Sequence, residues 1–197
     1  MSKRPYHHGN LHTALLEQAE RTVRERGVGE LSLRELAREV GVSHGAPRRH
    51  FPDRQALLDA LAETGFARLG AELRGAIDGA GEEFEARLHA AAAAYVRFAT
   101  RDAAMLDLMF AGKHRQEAGP LHTAAEHAFS VLLELILQGQ AEGALEPGEP
   151  ERVGFVLIAM VQGVAALISA GMVRPERLDD LLSDAIGHFL RGSRAAA

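Results

Sequence analysis

Ser32–Asp53, SLRELAREVGVSHGAPRRHFPD, is the stretch whose reading decides the fold. Ser32 with Glu35 three residues later is a capping box, which satisfies free amide groups at a helix start. Leu33, Leu36, Ala37 and Val40 then recur at the spacing of one buried helical face. Gly41 stands where a helix ends on a left-handed residue. Ser43 follows at once as the cap of a second helix, His44 to about His50. Two short helices joined by so few residues cross steeply, and the small Ala37 lets them approach. This is the pattern of a helix-turn-helix, whose second helix enters a DNA major groove. Pro47 lies within that helix, and its missing N–H faces the Ser43 carbonyl, so its cost falls below that of a mid-helix proline.

Upstream, Leu11–Arg26 is amphipathic, with Leu11, Leu15, Ala19 and Val23 in one stripe and Gly27 as its stop. It completes a three-helix head. Residues 2–9 read as a polar arm with Lys3 and Arg4, either a disordered terminus or a segment that rests on phosphates or in a minor groove when DNA is present. Residues 1–54 hold ten Lys/Arg against seven acids, whereas the remainder holds 12 against 20. A basic head on an acidic body fits a DNA reader.

The run VSHGAPRRHFPDRQALLDAL (42–61) resembles the reading-helix signature of the tetracycline-repressor (TetR) family of bacterial transcription regulators. That signature is Val-Ser-x-Gly-x-x-aromatic-x-His-Phe followed by an Ala/Leu helix. Val42, Ser43, Gly45, His50, Phe51, Ala56 and Leu57 match in place. Arg48 stands where the family usually has a Tyr that touches the DNA backbone, and an Arg there can hold phosphate or read guanine. The resemblance is specific over about residues 10–60. It implies an all-α chain: a DNA-binding head, residues 1–53, joined to a helical effector-binding and dimerisation body, residues 54–192. The expected partners are double-stranded DNA with a palindromic operator, a second copy of the chain, and a small-molecule effector. Residues expected at the groove are His44, Ala46, Arg48 and Arg49, and His50 of the same helix is a further DNA-binding candidate. Ser43, Arg34, Arg54, Lys3 and Arg4 are expected on the backbone.

In the body, helices are expected over Arg54–Ile77, Glu82–Arg101, Ala103–Ala111, Leu121–Gly143, Val153–Val173 and from Pro175 onward. Gly65, Gly70 and Gly75 should loosen the first of them. An effector pocket is implied by the resemblance alone. Its candidates are Tyr95, Phe98, Met105, Met109, Phe110, Phe129 and Met160, with Gln162 as a polar contact. Each is also a residue that ordinary core packing would use. Val153–Val173 contains 21 residues without a charge, long enough to cross a membrane. Three glycines and a central Gln162 favour burial in protein, and Ala159, Gly163, Ala166 and Ala170 form a smooth stripe. That stripe, with Leu178, Leu182, Ile186 and Phe189 on the last helix, is the expected dimer interface.

The chain has no Cys, so no disulfide framework or thiol nucleophile. His7, His8 and His12 lack carboxylates or thiols at ligand spacing, and His122 and His127 stand five apart, so neither a metal nor another cofactor is expected. No nucleophile–base pair or glycine-rich phosphate loop is legible, which speaks against an enzyme. The N-terminus has no apolar core of a signal peptide, and a cytoplasmic protein is expected. The rival to a DNA reader is a helix-turn-helix kept for protein contacts, without specific DNA binding.

Overall fold

The computed structural model describes residues 8–112 and 119–193, with side chains over 11–111 and 119–193. Among the described residues the chain is helical throughout and contains no strand. The α-helices are α1 (His8–Arg26), α2 (Leu33–Val40), α3 (Arg54–Gly79), α4 (Phe84–Arg101), α5 (Ala103–Gly112), α6 (Gly119–Ala141), α7 (Pro150–Ser169) and α8 (Leu178–Gly192). Each lies within a few residues of its sequence-based expectation; α7 differs most, starting three residues early at Pro150 and ending at Ser169. Two compact units emerge, one from residues 1–65 with 104–123, the other from 66–103 with 124–197. The division falls inside α3.

In the first unit, Leu11, Leu15, Ala19 and Val23 of α1 are buried, as are Leu36 and Ala37 of α2. α1 packs on α2 and on the short 3-10 turn Val28–Glu30. Gly27 ends α1 at φ 84°, a conformation that costs a glycine nothing. Leu57, Leu58 and Leu61 bury the start of α3. Gly65 is not slack in that helix. A Cβ there would stand 2.7 Å from Met109 Sδ and 3.2 Å from Met105 Cγ, so its role is close approach to α5.

In the second unit, α4 packs against α7 and α8, which also pack on each other. Ala91–Val96 are buried without a break, so α4 is enclosed on more than one side. Its alanines keep the neighbouring helices near. Gly70 of α3 meets the Ala128 backbone of α6, where a Cβ would stand 3.1 Å away. Only Gly75, with open space around it, keeps the loosening role expected of all three glycines. Asp102 is buried and accepts hydrogen bonds from Arg101 (2.9 Å) and Arg68 (3.3 Å). Both guanidinium groups lie over the Phe98 ring.

Candidate nucleic-acid interface

Ser32 begins α2 as expected, its hydroxyl accepting from the Glu35 amide at 3.1 Å. The Glu35 carboxylate does not close the box back onto Ser32; it pairs with Arg38 one turn on. Gly41 takes the left-handed conformation (φ 77°, ψ 32°). The Val42 amide then bonds the Ala37 carbonyl at 2.9 Å and the Gly41 amide bonds that of Arg38 at 3.2 Å. This pair of bonds is a Schellman stop. It turns the chain into the reading segment.

The reading segment is not the α-helix expected over His44–His50. His44 and Gly45 form a turn and Pro47–Arg49 a single 3-10 turn. Pro47 explains the difference. It offers no amide to the Ser43 carbonyl, which is taken by Ala46 instead at 2.9 Å. The tighter i→i+3 pattern continues with Arg49 to Ala46 (3.2 Å) and His50 to Pro47 (3.0 Å). Ser43 was expected as the cap, but Ala46 occupies that position with no side-chain cap bond. Pro47 itself is buried, while Ser43, His44, Arg48 and Arg49 are exposed and Ala46 and His50 half-buried.

The arginines of this unit fall into two groups. Arg21 bonds Gln18, Arg24 pairs with Glu20, Arg26 with Glu39 and Arg38 with Glu35. Arg54 donates to the Leu31 carbonyl at 2.8 Å and to that of Val28. It was expected on the DNA backbone, yet its guanidinium holds the chain that leads into α2. Among the described residues, Arg34, Arg48 and Arg49 have no such partner. Lys3 and Arg4 lie outside the described residues. His50 packs on α1, its ring 5.9 Å from that of His12, which also lies 4.9 Å from the Phe51 ring. No sequence period signals His12 as a neighbour of the reading segment, because α1 and that segment are far apart in the chain.

Glu39 ties α2 to α1. Its carboxylate accepts from Arg26 at 2.6 Å and from Gln18 at 2.8 Å. The bond from Arg26 comes first among the causes that hold its pKa below the usual carboxylate value. A carboxylate depressed in the folded state adds stability above its unfolded pKa and loses it as pH falls through the folded one. Glu39→Gln should therefore lower the melting temperature at neutral pH. The gap to wild type should narrow in thermal melts as pH falls below the ordinary carboxylate range. An equal gap at both ends would show that the clamp does not stabilise the head.

The residues considered for an effector site are distributed among several neighbourhoods. Tyr95 and Gln162 do come together, Gln162 Nε2 donating to the Tyr95 hydroxyl at 2.9 Å. Burial drives the Tyr95 pKa up to about 12, so it stays a neutral phenol. Phe98 lies under Arg68 and Arg101, and Phe129 lies 6.2 Å from Phe66, edge to face. Met105 and Met109 clasp Gly65, whereas Phe110 and Met160 are half-buried. None of the eight lines the 930 Å³ groove at Ile77–Phe84 and Gln138–Ala144, or the 410 Å³ hollow at Met172–Arg174 and Leu181.

Ala159, Gly163 and Ala166 of α7, with Ala170 just past its end, are exposed in the single chain. Phe155, Val156 and Leu167 join them, the first two being 66% and 56% exposed. On an ideal helix these seven positions span only about 120° of arc. Three expected interface residues of α8 need correction: Leu182, Ile186 and Phe189 are buried within the chain. The three to four residue spacing marked an apolar stripe but could not say which neighbour covers it. Leu178 is half-buried. α7 is long and apolar enough to cross a membrane, and only 22% of its apolar window is buried inside the chain. Among the described residues no cluster of potential metal ligands occurs.

Residues 15–61 match the model of bacterial regulatory proteins of the tetR family. Residues 88–189 match the tetracyclin repressor-like C-terminal domain. A solved structure of a Rhodococcus sp. RHA1 protein of unknown function is 42% identical, with a TM-score of 0.91 over 98% of this chain and 100% of that one. A transcriptional regulator from the same organism is 21% identical (TM-score 0.75, 95% and 100% covered). A TetR family transcription regulator from Marinobacter aquaeolei VT8 is 15% identical (TM-score 0.75, 94% and 96% covered). At those identities the last two show the fold alone. No curated protein matches the chain.

Proposed function

The chain belongs to the tetR family of bacterial regulatory proteins, DNA-binding and non-enzymatic, and on that premise we propose that it is a homodimeric repressor released from a palindromic operator by a small molecule. The observation that carries this reading is the sorting of the head's arginines. A protein-interaction module has no reason to tie most of them to internal partners and leave those of the reading segment and the start of α2 unspent. Arg48 and Arg49 then face base edges or phosphates with His44 and Ala46 beside them, and Arg34 and Ser43 hold the backbone. Residues 1–53 act as the DNA-binding domain and residues 54–192 as the regulatory one.

The exposed face of α7, with Leu178 at the start of α8, pairs with its copy across a two-fold axis. Such pairing also covers a helix that would otherwise leave a large apolar stripe in water. Two reading segments then address half-sites about 34–36 Å apart or a multiple of that. An effector that binds the state of wrong spacing more tightly releases the DNA, by no more than that difference in affinity. The Tyr95–Gln162 pair supplies its polar contact among apolar neighbours. Such a protein acts in the cytoplasm, where bacterial DNA lies. Sedimentation equilibrium tests the assembly: a mass twice the 21.2 kDa of the chain is expected at micromolar concentration. A species of single-chain mass alone would contradict it.

A further inference from the structure

Three imidazoles accompany the unpaired arginines of the head. His44 is exposed in the reading turn; His50 follows it, half-buried, and exposed His12 reaches it from α1 with ring centroids 5.9 Å apart. Among the described residues none of the three has an ion pair or a hydrogen bond. The charged groups of the surrounding elements do not compensate them. Arg48 and Arg49 on the reading segment and Arg34 on α2 are unpaired cations. On α2 the carboxylates of Glu35 and Glu39 are taken by arginines. At the start of α3, Asp53 accepts from the Ala56 amide at 2.8 Å and Arg54 turns to backbone carbonyls. On α1, Glu20 is taken by Arg24, and Glu17 stands five residues from His12, about 140° round the helix.

Among the described residues of the free protein, then, no unpaired carboxylate faces a proton placed on these rings, and two imidazolium ions 5.9 Å apart repel each other. A phosphate backbone laid along the segment reverses the sign of the local field. Taking the DNA-binding reading as given, we infer that duplex binding takes up protons at His44 and at the His12–His50 pair, so that affinity for DNA rises as pH falls through the imidazole range, about pH 5 to 8. Each proton taken up steepens the dependence by at most about tenfold per pH unit. The device would tighten repression when the cell interior acidifies.

The test is fluorescence anisotropy with a labelled duplex recovered by site selection, at pH 8, 7 and 6 and constant ionic strength. Wild type is expected to gain roughly 10- to 100-fold in affinity across that range. His12→Gln and His44→Gln should each reduce the gain, and the double variant should lose at least half of its logarithm. Adding His50→Gln should remove the rest; circular dichroism checks that this half-buried replacement folds, and the exposed pair stands as the test if it does not. Calorimetry in buffers of different ionisation enthalpy counts the protons directly. A flat wild-type profile, or a double variant with the full gain, would overturn proton linkage while leaving DNA binding intact. Absence of binding at every pH would instead remove the DNA-binding reading, and this inference with it.

Discussion

Arg48→Ala combined with Arg49→Ala is expected to weaken operator binding by at least about thirtyfold, since each arginine that contacts DNA contributes roughly 1–3 kcal/mol. The two are exposed, and neither has an internal partner whose loss would disturb the fold. Single variants separate their roles. Removing a base reader relaxes specificity at one position of the half-site. Loss of a phosphate contact weakens all sequences alike and reduces the salt slope by about one. Arg34→Ala, at the first turn of α2, is expected to behave in the second way. Arg24→Ala supplies the contrast, because that guanidinium is paired with Glu20 on the same helix. It should leave affinity within about threefold, the size of an exposed ion pair's influence. Equal losses from Arg24 and Arg48 would mean that only net charge matters and that the reading segment has no special place.

The second large effect is expected on the body. Gly163→Glu puts a carboxylate in the middle of the exposed α7 stripe, and two-fold symmetry would set it near its own copy. Nothing lies within 4 Å of a Cβ at Gly163, so the variant fits the single chain without strain. Sedimentation should give single-chain mass at concentrations where wild type is dimeric, with the circular dichroism spectrum unchanged. Operator affinity should fall by roughly a hundredfold or more, because the two half-sites no longer bind as one ligand. A variant that remained dimeric would place the partner on another face. Phe155→Ser, which removes a 66% exposed ring, should weaken the dimer in the same direction.

Most of the helix pattern was legible because its signals are local. Ser32, Gly41, Gly27 and Asp53 act through the backbone within a turn of themselves, and each does in the structure what its residue type implies. Pro47 acts through the backbone as well, with a larger effect than its position near the helix start implies. It does not merely cost the reading helix a bond; it changes the hydrogen-bond pattern from α to 3-10. Arg54 and Glu39 escaped for a different reason. Their partners, Val28 and Leu31 for one, Gln18 and Arg26 for the other, lie 13 to 26 residues away in sequence. No period reports such a meeting. The same limit explains α8: Leu182, Ile186 and Phe189 announced an apolar face, but whether it turns inward or toward a partner depends on packing that spacing does not encode. For the effector residues, aromatic and methionine side chains have the same signature in a core as in a pocket wall.

The most direct measurement is selection of binding sites from random duplex DNA, carried out at two salt concentrations. A two-fold symmetric site, with half-sites one helical turn or slightly more apart and steeply weakened by salt, is the predicted result. Recovery of sequences without symmetry or common motif, or of none at all, would contradict a dimeric operator reader.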